Sequence, residues 1–409
     1  MIVGVGARTS DDQNRRRSGG VAAVLLAYAF AVIMAGTTLP TPMYAAYATT
    51  MHFGVLTTTV IYAAYAGGVL AALVVVGRWS DAIGRRPVLL GGIVVAVASA
   101  ATFLVADTVL DLVVARVLSG VSAGLFAGTA TVAVIEAAPP KWRTKAAAVA
   151  TIANMGGLGA GPLLSGALVQ CCPAPLQLAF AIHIVLAVAA GLAVLAVPET
   201  SAKTGPLGVQ RLRLPIEVRG TFAVAAIGAF AGFACIGLFA ALAPSFLSTT
   251  IGIDNHAAAG LVASCAFLAS AVTQVAANRI PPQRAMALGC STLVIGMIAL
   301  TAALGTASLA GLVVAAIISG AGQGISFSRG LAAVTELTPA DRRAEVTSTL
   351  FVVAYIAISL PVVGEGLAAQ RWGLRGAGIG FAVTVGVLAT TCLAALLTLQ
   401  LRDQSAHRG

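Results

Sequence analysis

The stretch Gly77-Arg-Trp-Ser-Asp-Ala-Ile-Gly-Arg-Arg-Pro87 separates two long apolar runs, at about 53–76 and 87–106. It concentrates three arginines and an aspartate in a chain of which only 9% of the residues are charged. Each flanking run has about 20 residues, the length that an apolar helix needs to cross a bilayer. The sequence therefore predicts a short polar loop between two transmembrane helices.

The same alternation of apolar runs and short polar segments extends over all 409 residues, of which 59% are hydrophobic. A soluble domain is about 45–50% apolar and about 25% charged, so this chain must place much of its apolar surface against lipid. The apolar runs lie at about 20–46, 53–76, 87–106, 110–135, 145–169, 175–197, 220–248, 256–278, 284–304, 307–336, 346–368 and 374–401. The predicted fold is an all-α membrane protein with 12 transmembrane helices.

The basic residues set the predicted orientation. With the amino terminus inside, 20 of the 24 lysines and arginines are cytoplasmic, and only Arg371 and Arg375 lie on the other side. Cytoplasmic loops carry such an excess, so we expect both termini to be cytoplasmic and the protein to lie in the cell (inner or plasma) membrane. The net charge of +10 then reflects topology, and no nucleic-acid partner is expected. The arginines at 15–17 resemble the start of a signal peptide, but no clean A-x-A cleavage site follows and the hydrophobic pattern continues to the end of the chain, which favours a retained first span.

The two halves of the chain repeat each other at an offset of 200 residues. The pattern Ser-Gly-x-x-x-Gly occurs at 119–124 and at 319–324, and the same offset pairs Glu136 with Glu336. A duplication of six spans predicts two six-helix bundles with a substrate path between them. The predicted organisation is a cytoplasmic tail, an N-terminal bundle, a cytoplasmic central loop, a C-terminal bundle and a second tail, at 1–19, 20–198, 199–219, 220–401 and 402–409.

The loop at 77–87 resembles the signature G-x-x-x-D-x-x-G-R-[RK] of the major facilitator superfamily. The resemblance implies a gate that locks the cytoplasmic side in one conformation, with Asp81 at the amino end of a facing helix. Plain topology determinants are the alternative. The predicted gate residues are Gly77, Asp81, Gly84, Arg85, Arg86 and Glu136, in which Arg85 or Arg86 pairs with Glu136. The second-half loop at 278–284 lacks the acid and the glycines, so the gate should be asymmetric.

Arg116 lies within the fourth span, where the following glycines recur every four residues. An arginine at the centre of a membrane helix costs about 3 kcal/mol and usually marks function. The pattern resembles a signature of proton-driven exporters, in which this arginine takes part in proton transfer. Proton coupling is therefore assigned to Arg116, with Asp111 and His183 as candidate titratable groups. The alternative is an arginine that extends to the outer interface or pairs with Asp111.

The fifth span resembles the antiporter motif G-x-x-x-G-P-x-x-G-G of the same exporters. Its glycines allow close packing, and its proline removes a backbone hydrogen bond, so this helix is predicted to bend as the two halves rock. A pure packing element would have the same pattern. The motif residues are Gly157, Gly161, Pro162 and Gly166.

Other polar residues within the spans carry weaker expectations. Glu365 should reach the outer interface, where it meets Arg371 or Arg375, and Arg329 should extend to the cytoplasmic interface. The six cysteines fit no metal-ligand spacing and are interpreted as packing residues.

The resemblance covers essentially the whole chain. It implies a monomeric secondary transporter that exports small hydrophobic or cationic organic compounds in exchange for protons, by alternating access between the halves. The proton gradient supplies the energy, so no cofactor is expected. Spans 1, 4, 7 and 10 should line the substrate cavity. Candidate contacts are Tyr28, Thr37, Phe230, Phe233, Gln323 and Phe327.

Three alternatives compete with this interpretation. One is export of a specific endogenous metabolite, such as a sugar, an amino acid or a self-made antibiotic. An intramembrane enzyme would need a nucleophile with a base, or a metal cluster, at membrane depth, and the sequence offers none. A nontransporting receptor would normally add a sensory domain, which loops this short do not hold.

Overall fold

The computed structural model describes residues 4–203, 205, 207–210, 212–339 and 342–406, and all regular structure in these ranges is helical. The helices are α1 (Gly4–Thr38), α2 (Tyr44–Met51), α3 (Val55–Val76), α4 (Trp79–Ile83), α5 (Arg85–Leu104), α6 (Val109–Ala137), α7 (Arg143–Cys171), α8 (Leu178–Ala196), α9 (Arg219–Ser245), α10 (His256–Ala276), α11 (Pro282–Gly305), α12 (Leu309–Leu337) and α13 (Arg343–Ala406). The predicted tails at 1–19 and 402–409 lie partly outside the described residues.

Twelve crossings result from these helices. Eleven helical segments of the described chain are long and apolar enough to cross a membrane. The last of them, Arg343–Thr398, has 56 residues, which is more than twice the length that one crossing needs. Gly373 breaks it with a φ of 70°, in the left-handed region that favours glycine. The all-α prediction with 12 transmembrane helices is confirmed.

Side-chain caps begin α6 and α12, which are equivalent helices of the repeat. The Thr108 side chain accepts a hydrogen bond from the Asp111 N–H at the start of α6. Two hundred residues later, Ser308 accepts one from the Gly311 N–H at the start of α12. Hydroxyl side chains satisfy backbone donors that a helix leaves free in its first turn. The two bundles therefore begin equivalent helices in the same way.

Equivalent glycines also make close helix contacts within each of the two bundles. A Cβ on Gly120 of α6 would collide with the backbone carbonyl of Tyr65 in α3. A Cβ on Gly320 of α12 would collide in the same way with the carbonyl of Ala266 in α10. Small residues let membrane helices approach at backbone distance. The repeated glycines in the sequence therefore correspond to equivalent close contacts between helices in the two bundles.

The bundles meet along two helix pairs, α7 with α10 and α3 with α13. We call the face with residues 77–86 and 137–145 the basic side, and the face with residues 52–54 and 373 the opposite side. On the opposite side the bundles touch: a Cβ on Gly166 would meet Ala257 and Gly260 at 3.3 Å. On the basic side they are separated by a cavity of about 280 Å³ between the 77–85 region and the start of α13. The protein is thus closed on the opposite side and open on the basic side.

Candidate transport cavity and charge cluster

A cavity of about 50 Å³ lies between the bundles, next to the large basic-side opening. Helices of both bundles line it. The predicted spans 1, 4, 7 and 10, which are α1, α6, α9 and α12, are among them, and α3, α7, α10 and α13 contribute as well. Its lining side chains are mostly apolar and aromatic, and Arg116 is the only charged one among the described residues. The polar and aromatic lining residues are Thr37, Thr38, Tyr62, Tyr65, Arg116, Asn154, Phe233, Phe267, Gln323, Phe351 and Tyr355.

Arg116 is buried at the wall of this cavity, with 2% of its surface exposed. Its guanidinium donates to the carbonyl of Thr37, in the last turn of α1. Carbonyls at a helix C-terminus lack partners within the helix and attract cations. The guanidinium also lies over the rings of Tyr62 and Tyr65, with its Cζ 5.4 and 4.7 Å from their centroids. Carbonyl groups and aromatic faces therefore hold a buried cation that no described acid neutralises.

The expected alternatives for Arg116 are wrong. It neither extends to the outer interface nor pairs with Asp111. Asp111 is only half-buried at the start of α6, and its carboxylate accepts hydrogen bonds from Thr108. A carboxylate in the first turn of a helix is held by free backbone donors. The structure does not bring Asp111 and Arg116 together.

His183 lies behind Thr37, in a small cavity of about 10 Å³ that apolar and hydroxyl side chains line together. The histidine is buried, with 4% exposure, and its ring lies against Gly36 of α1. Thr37 lines both this cavity and the central one. His183 and Arg116 therefore both lie beside Thr37.

The second bundle contributes an amide to the cavity. Ser270 donates to the Gln323 carbonyl oxygen at 2.5 Å and accepts from Gln274 at 3.0 Å. The Nε2 of Gln323 has no hydrogen-bond partner among the described residues, although Gln323 is fully buried. A buried unpaired donor is costly, so this amide group is available to an acceptor in the cavity.

The predicted substrate contacts divide into two groups. Thr37, Phe233 and Gln323 line the central cavity, whereas Tyr28, Phe230 and Phe327 do not. The Tyr28 hydroxyl donates to the Leu186 carbonyl in α8, away from the cavity. Phe327 packs edge-on against Phe233, with ring centroids 4.9 Å apart. The contacts predicted from the sequence did not include Tyr62 and Tyr65 of α3, Asn154 of α7 or Tyr355 of α13. The signal that could have found them is a polar group within an apolar span.

A cluster of charges surrounds Arg85 on the basic side. Its guanidinium lies 2.5 Å from the Asp81 carboxylate and 3.3 Å from that of Glu136, and it donates to the Ser80 hydroxyl at 2.8 Å. Arg86 instead donates to the Leu195 carbonyl at 2.7 Å. Of the two arginines, Arg85 is therefore the partner of Glu136.

Glu199, which follows α8, completes this cluster. Its carboxylate accepts the N–H groups of Arg85 and Arg86 at 2.8 and 3.1 Å, and so caps α5 after Gly84, which has no side chain to do so. Burial opposes its ionisation, yet the backbone donors of residues 85, 86, 200 and 201 lower the pKa of Glu199 below its ordinary value. Sequence reasoning did not assign it, because the helix that it caps lies more than 110 residues away in the chain.

All side chains in this cluster belong to the first bundle and the segment after it. Asp81 and Arg343 line the same basic-side cavity from opposite walls. The Asp81 carboxylate pairs with Arg85, and the open cavity keeps it from the amino end of α13 in this conformation. Gly77 packs on the described part of the central segment, where a Cβ would lie 3.4 Å from Gln210.

The glycines of α7 contact two different helices, one on each face of α7. Cβ atoms on Gly157 and Gly161 would collide with α1, whereas those on Gly159 and Gly166 would meet α10 of the other bundle. Pro162 has no N–H for the Leu158 carbonyl four residues earlier, and Thr38 of α1 donates to that carbonyl instead, at 2.7 Å. The motif therefore joins close packing within one bundle to the contact between bundles.

A family model of the Major Facilitator Superfamily matches residues 25–361 and 225–408. The chain belongs to this superfamily. A bacterial homolog of the human lysosomal transporter Spinster, in an inward-facing and unoccupied conformation, superposes with a TM-score of 0.70 at 14% identity, covering 93% of this chain and 97% of that one. A D-xylose–proton symporter superposes with a TM-score of 0.73 at 17% identity, covering 92% and 96%. No curated protein sequence matches the chain.

Membership of the superfamily makes this chain a membrane transporter, not an enzyme, and fits the two bundles with a cavity between them. Two further expectations fail inside that fold. Glu365 does not reach the outer interface, because it is buried with 3% exposure, and Arg375 donates to the Gly305 carbonyl instead. Arg329 is also buried, at 9% exposure, rather than extended into solvent.

Proposed function

We propose that this protein is a proton-coupled antiporter that exports small apolar organic compounds by alternating access. The observation that carries the proposal is the central cavity, which lies between the bundles, opens toward the basic side and holds one buried cation. The basic side is the cytoplasmic side of a cell membrane in this proposal, since cytoplasmic loops are enriched in lysine and arginine. The transporter acts as a monomer and needs no cofactor, because the proton gradient supplies the energy.

The cavity favours neutral and anionic compounds over cationic ones. Its described lining is mostly aromatic and aliphatic with a few neutral polar groups, and it includes Arg116 but no acidic side chain. A cationic substrate would meet the uncompensated charge of Arg116 in a medium of low dielectric constant, where like charges repel strongly. Of the hydrophobic and cationic compounds predicted from the sequence, the hydrophobic class is therefore retained.

Proton coupling is assigned to the region around Arg116. His183 is the titratable group that reaches Thr37 from the first bundle, and protonation there would place a second positive charge near the guanidinium. Such repulsion gives the proton a way to bias the helix positions. Asp111 supports this role less, because its carboxylate is bound in the cap of α6.

The gate proposal assigns the charge cluster to the basic side. Rocking the bundles closed would bring the start of α13 across the cavity toward Asp81, where a carboxylate stabilises a helix amino terminus. Arg85 would hold Asp81 in both conformations, and α7 would accommodate the rotation at Pro162, where the helix lacks a backbone donor.

Export of one specific metabolite is the second candidate. The unpaired Nε2 of Gln323 and the amide of Asn154 could bind the hydroxyl or carbonyl oxygens of a polar molecule. Such a substrate would gain several directed hydrogen bonds, and analogues lacking those oxygens would be rejected.

The test uses inside-out vesicles with an imposed pH gradient, a pH-sensitive dye and a panel of neutral, anionic and cationic aromatic compounds. We expect neutral and anionic members to dissipate the gradient and cationic members to have little effect. Compound movement without any gradient dissipation would contradict antiport. Dissipation by a single sugar or amino acid alone would favour the second candidate.

A further inference from the structure

Glu365 is a buried acid that the described chain leaves unpaired. It is 3% exposed, and neither of its carboxylate oxygens has a hydrogen-bond partner among the described residues. It lies in α13, eight residues before the break at Gly373. At 1.5 Å per residue, this distance places it about 12 Å from the opposite-side end of the helix arm. The carboxyl group is therefore inside the protein, well below the interface.

Helix α3 covers this part of α13. A Cβ on Gly366 would lie 3.2 Å from the Cα of Leu56 and would also collide with the Thr59 hydroxyl. The backbones of the two bundles therefore touch directly beside Glu365, on the side that this conformation closes. Opening the opposite side must part α3 from α13, and that movement would expose Glu365 to water.

No cation of the described residues forms a salt bridge with Glu365. On its own helix, Arg375 donates to the Gly305 carbonyl and Arg371 is exposed. The elements packed on α13 are α3, α9, α11, α12 and the π-helix Phe246–Ile251. Their titratable residues are Tyr62, Tyr65, Arg219, Cys235, Arg284, Cys290, Arg329 and Glu336. The three arginines among them lie at or near the basic-side ends of their helices, far from residue 365.

We infer that Glu365 is a proton-binding site that must be neutral for the opposite side to close, an inference that rests on the proposed proton coupling. An isolated carboxylate in an apolar site is strongly disfavoured, and such a group takes up a proton instead. When α3 and α13 are apart, water can solvate the ionised form. Each closure then takes one proton from the opposite side, which forms one O–H bond on the carboxylate and changes no other bond.

The same geometry gives the proton a direction. Ile358 lines the central cavity and lies about two helical turns from Glu365 on α13. The cavity opens to the basic side in this conformation. Release of the proton toward this cavity would leave an unpaired carboxylate in the closed site, which favours reopening of the opposite side. The proton would then have moved from the opposite side to the basic side, against the direction of the exported compound.

The test measures the opening of the opposite side in the full chain, reconstituted in nanodiscs after replacement of the native cysteines. Spin labels are attached to cysteines introduced at the exposed positions Gly54 and Gln370, and their separation is measured at pH 5.5 and 8.5. In the labelled parent, we expect the population with the long distance to rise at least about threefold at pH 8.5. The Glu365→Gln variant should keep the short distance at both pH values.

Glu345→Gln is the matched control, since it makes the same change at the basic-side start of the same helix. It should respond to pH as the parent does. Glu365→Asp keeps a titratable group, and it should retain the response with a shifted midpoint, which also shows that the site tolerates substitution.

Two results would overturn the inference. One is a Glu365→Gln variant that opens with pH as the parent does. The other is a parent whose label distance does not change with pH. The gradient-dissipation assay is independent of both: a parent that exchanges compounds for protons but shows no pH-dependent opening refutes only the role of Glu365, whereas a parent without exchange refutes the proposed function.

Discussion

Helices α6 and α12 occupy equivalent positions in the two bundles, and they share their packing but not their polar residues. Gly120 and Gly320 both press against a backbone carbonyl of the neighbouring helix. Where α6 places the buried Arg116 beside the cavity, the equivalent position of α12 is Ala316, and the polar group of α12 is Gln323. Packing thus preserves the repeat, while the chemistry of the cavity depends on where the halves differ.

The largest effect is expected from a substitution that removes this difference between α6 and α12. Arg116→Ala makes the α6 position identical to its counterpart and should reduce proton-coupled transport at least about 100-fold, the scale of a lost proton-transfer group. The measurement is gradient dissipation in inside-out vesicles at equal protein content. Arg279→Ala, in the second-half loop, is the control and should transport normally. An Arg116→Ala variant with near-normal coupling would show that the two halves do not differ in this respect.

The shared packing predicts equal losses of stability. Gly120→Ala and Gly320→Ala each drive a methyl group into a backbone carbonyl and should each cost about 2 kcal/mol. Gly128→Ala in the same α6 has nothing within 4 Å of its new Cβ and should be neutral or slightly stabilising. Thermal unfolding of the purified proteins checks this. Unequal losses at the two equivalent glycines would mean that the bundles do not pack alike.

In the basic-side loops we expect a smaller effect on transport, and only for the loop of the first half. Asp81→Asn removes the carboxylate that pairs with Arg85, and it should lower the transport rate by roughly tenfold, about 1.4 kcal/mol, with little change in expression. Gln283→Ala in the second-half loop should leave the rate unchanged. Equal losses of transport and surface expression for Asp81→Asn would assign the cluster to folding instead of gating.

The smallest expected effect concerns Glu199, whose lowered pKa makes its contribution pH-dependent. Because the folded value lies below the unfolded one, this contribution is complete above the unfolded pKa and is lost as the pH falls through the folded pKa. The midpoint of thermal unfolding should therefore drop more steeply below about pH 4.5 in the wild type than in Glu199→Gln. Since the carboxylate is partly exposed, its loss should lower the midpoint at pH 7 by only about 2 °C. Parallel pH profiles of the two proteins would contradict the cap.

Much of this molecule could be predicted from its sequence. The apolar runs gave the crossings, because a bilayer core imposes a minimum apolar length on each helix. Motif and topology also predicted that Arg85 or Arg86 pairs with Glu136, and the structure selects Arg85. The cap by Glu199 and the direction of Tyr28 did not, because they depend on contacts between helices that are far apart in the chain.

The sequence by itself determined the number of crossings, the repeat and the presence of an arginine within a span, since these follow from residue type and local spacing. Only the tertiary structure decided which polar groups are buried and what they meet. Glu365 shows the reason: Leu367, its near neighbour in sequence, is exposed, but α3 of the first bundle covers the helix surface beside Glu365. A group's solvation is set by the helices packed around it, and sequence neighbours do not specify them.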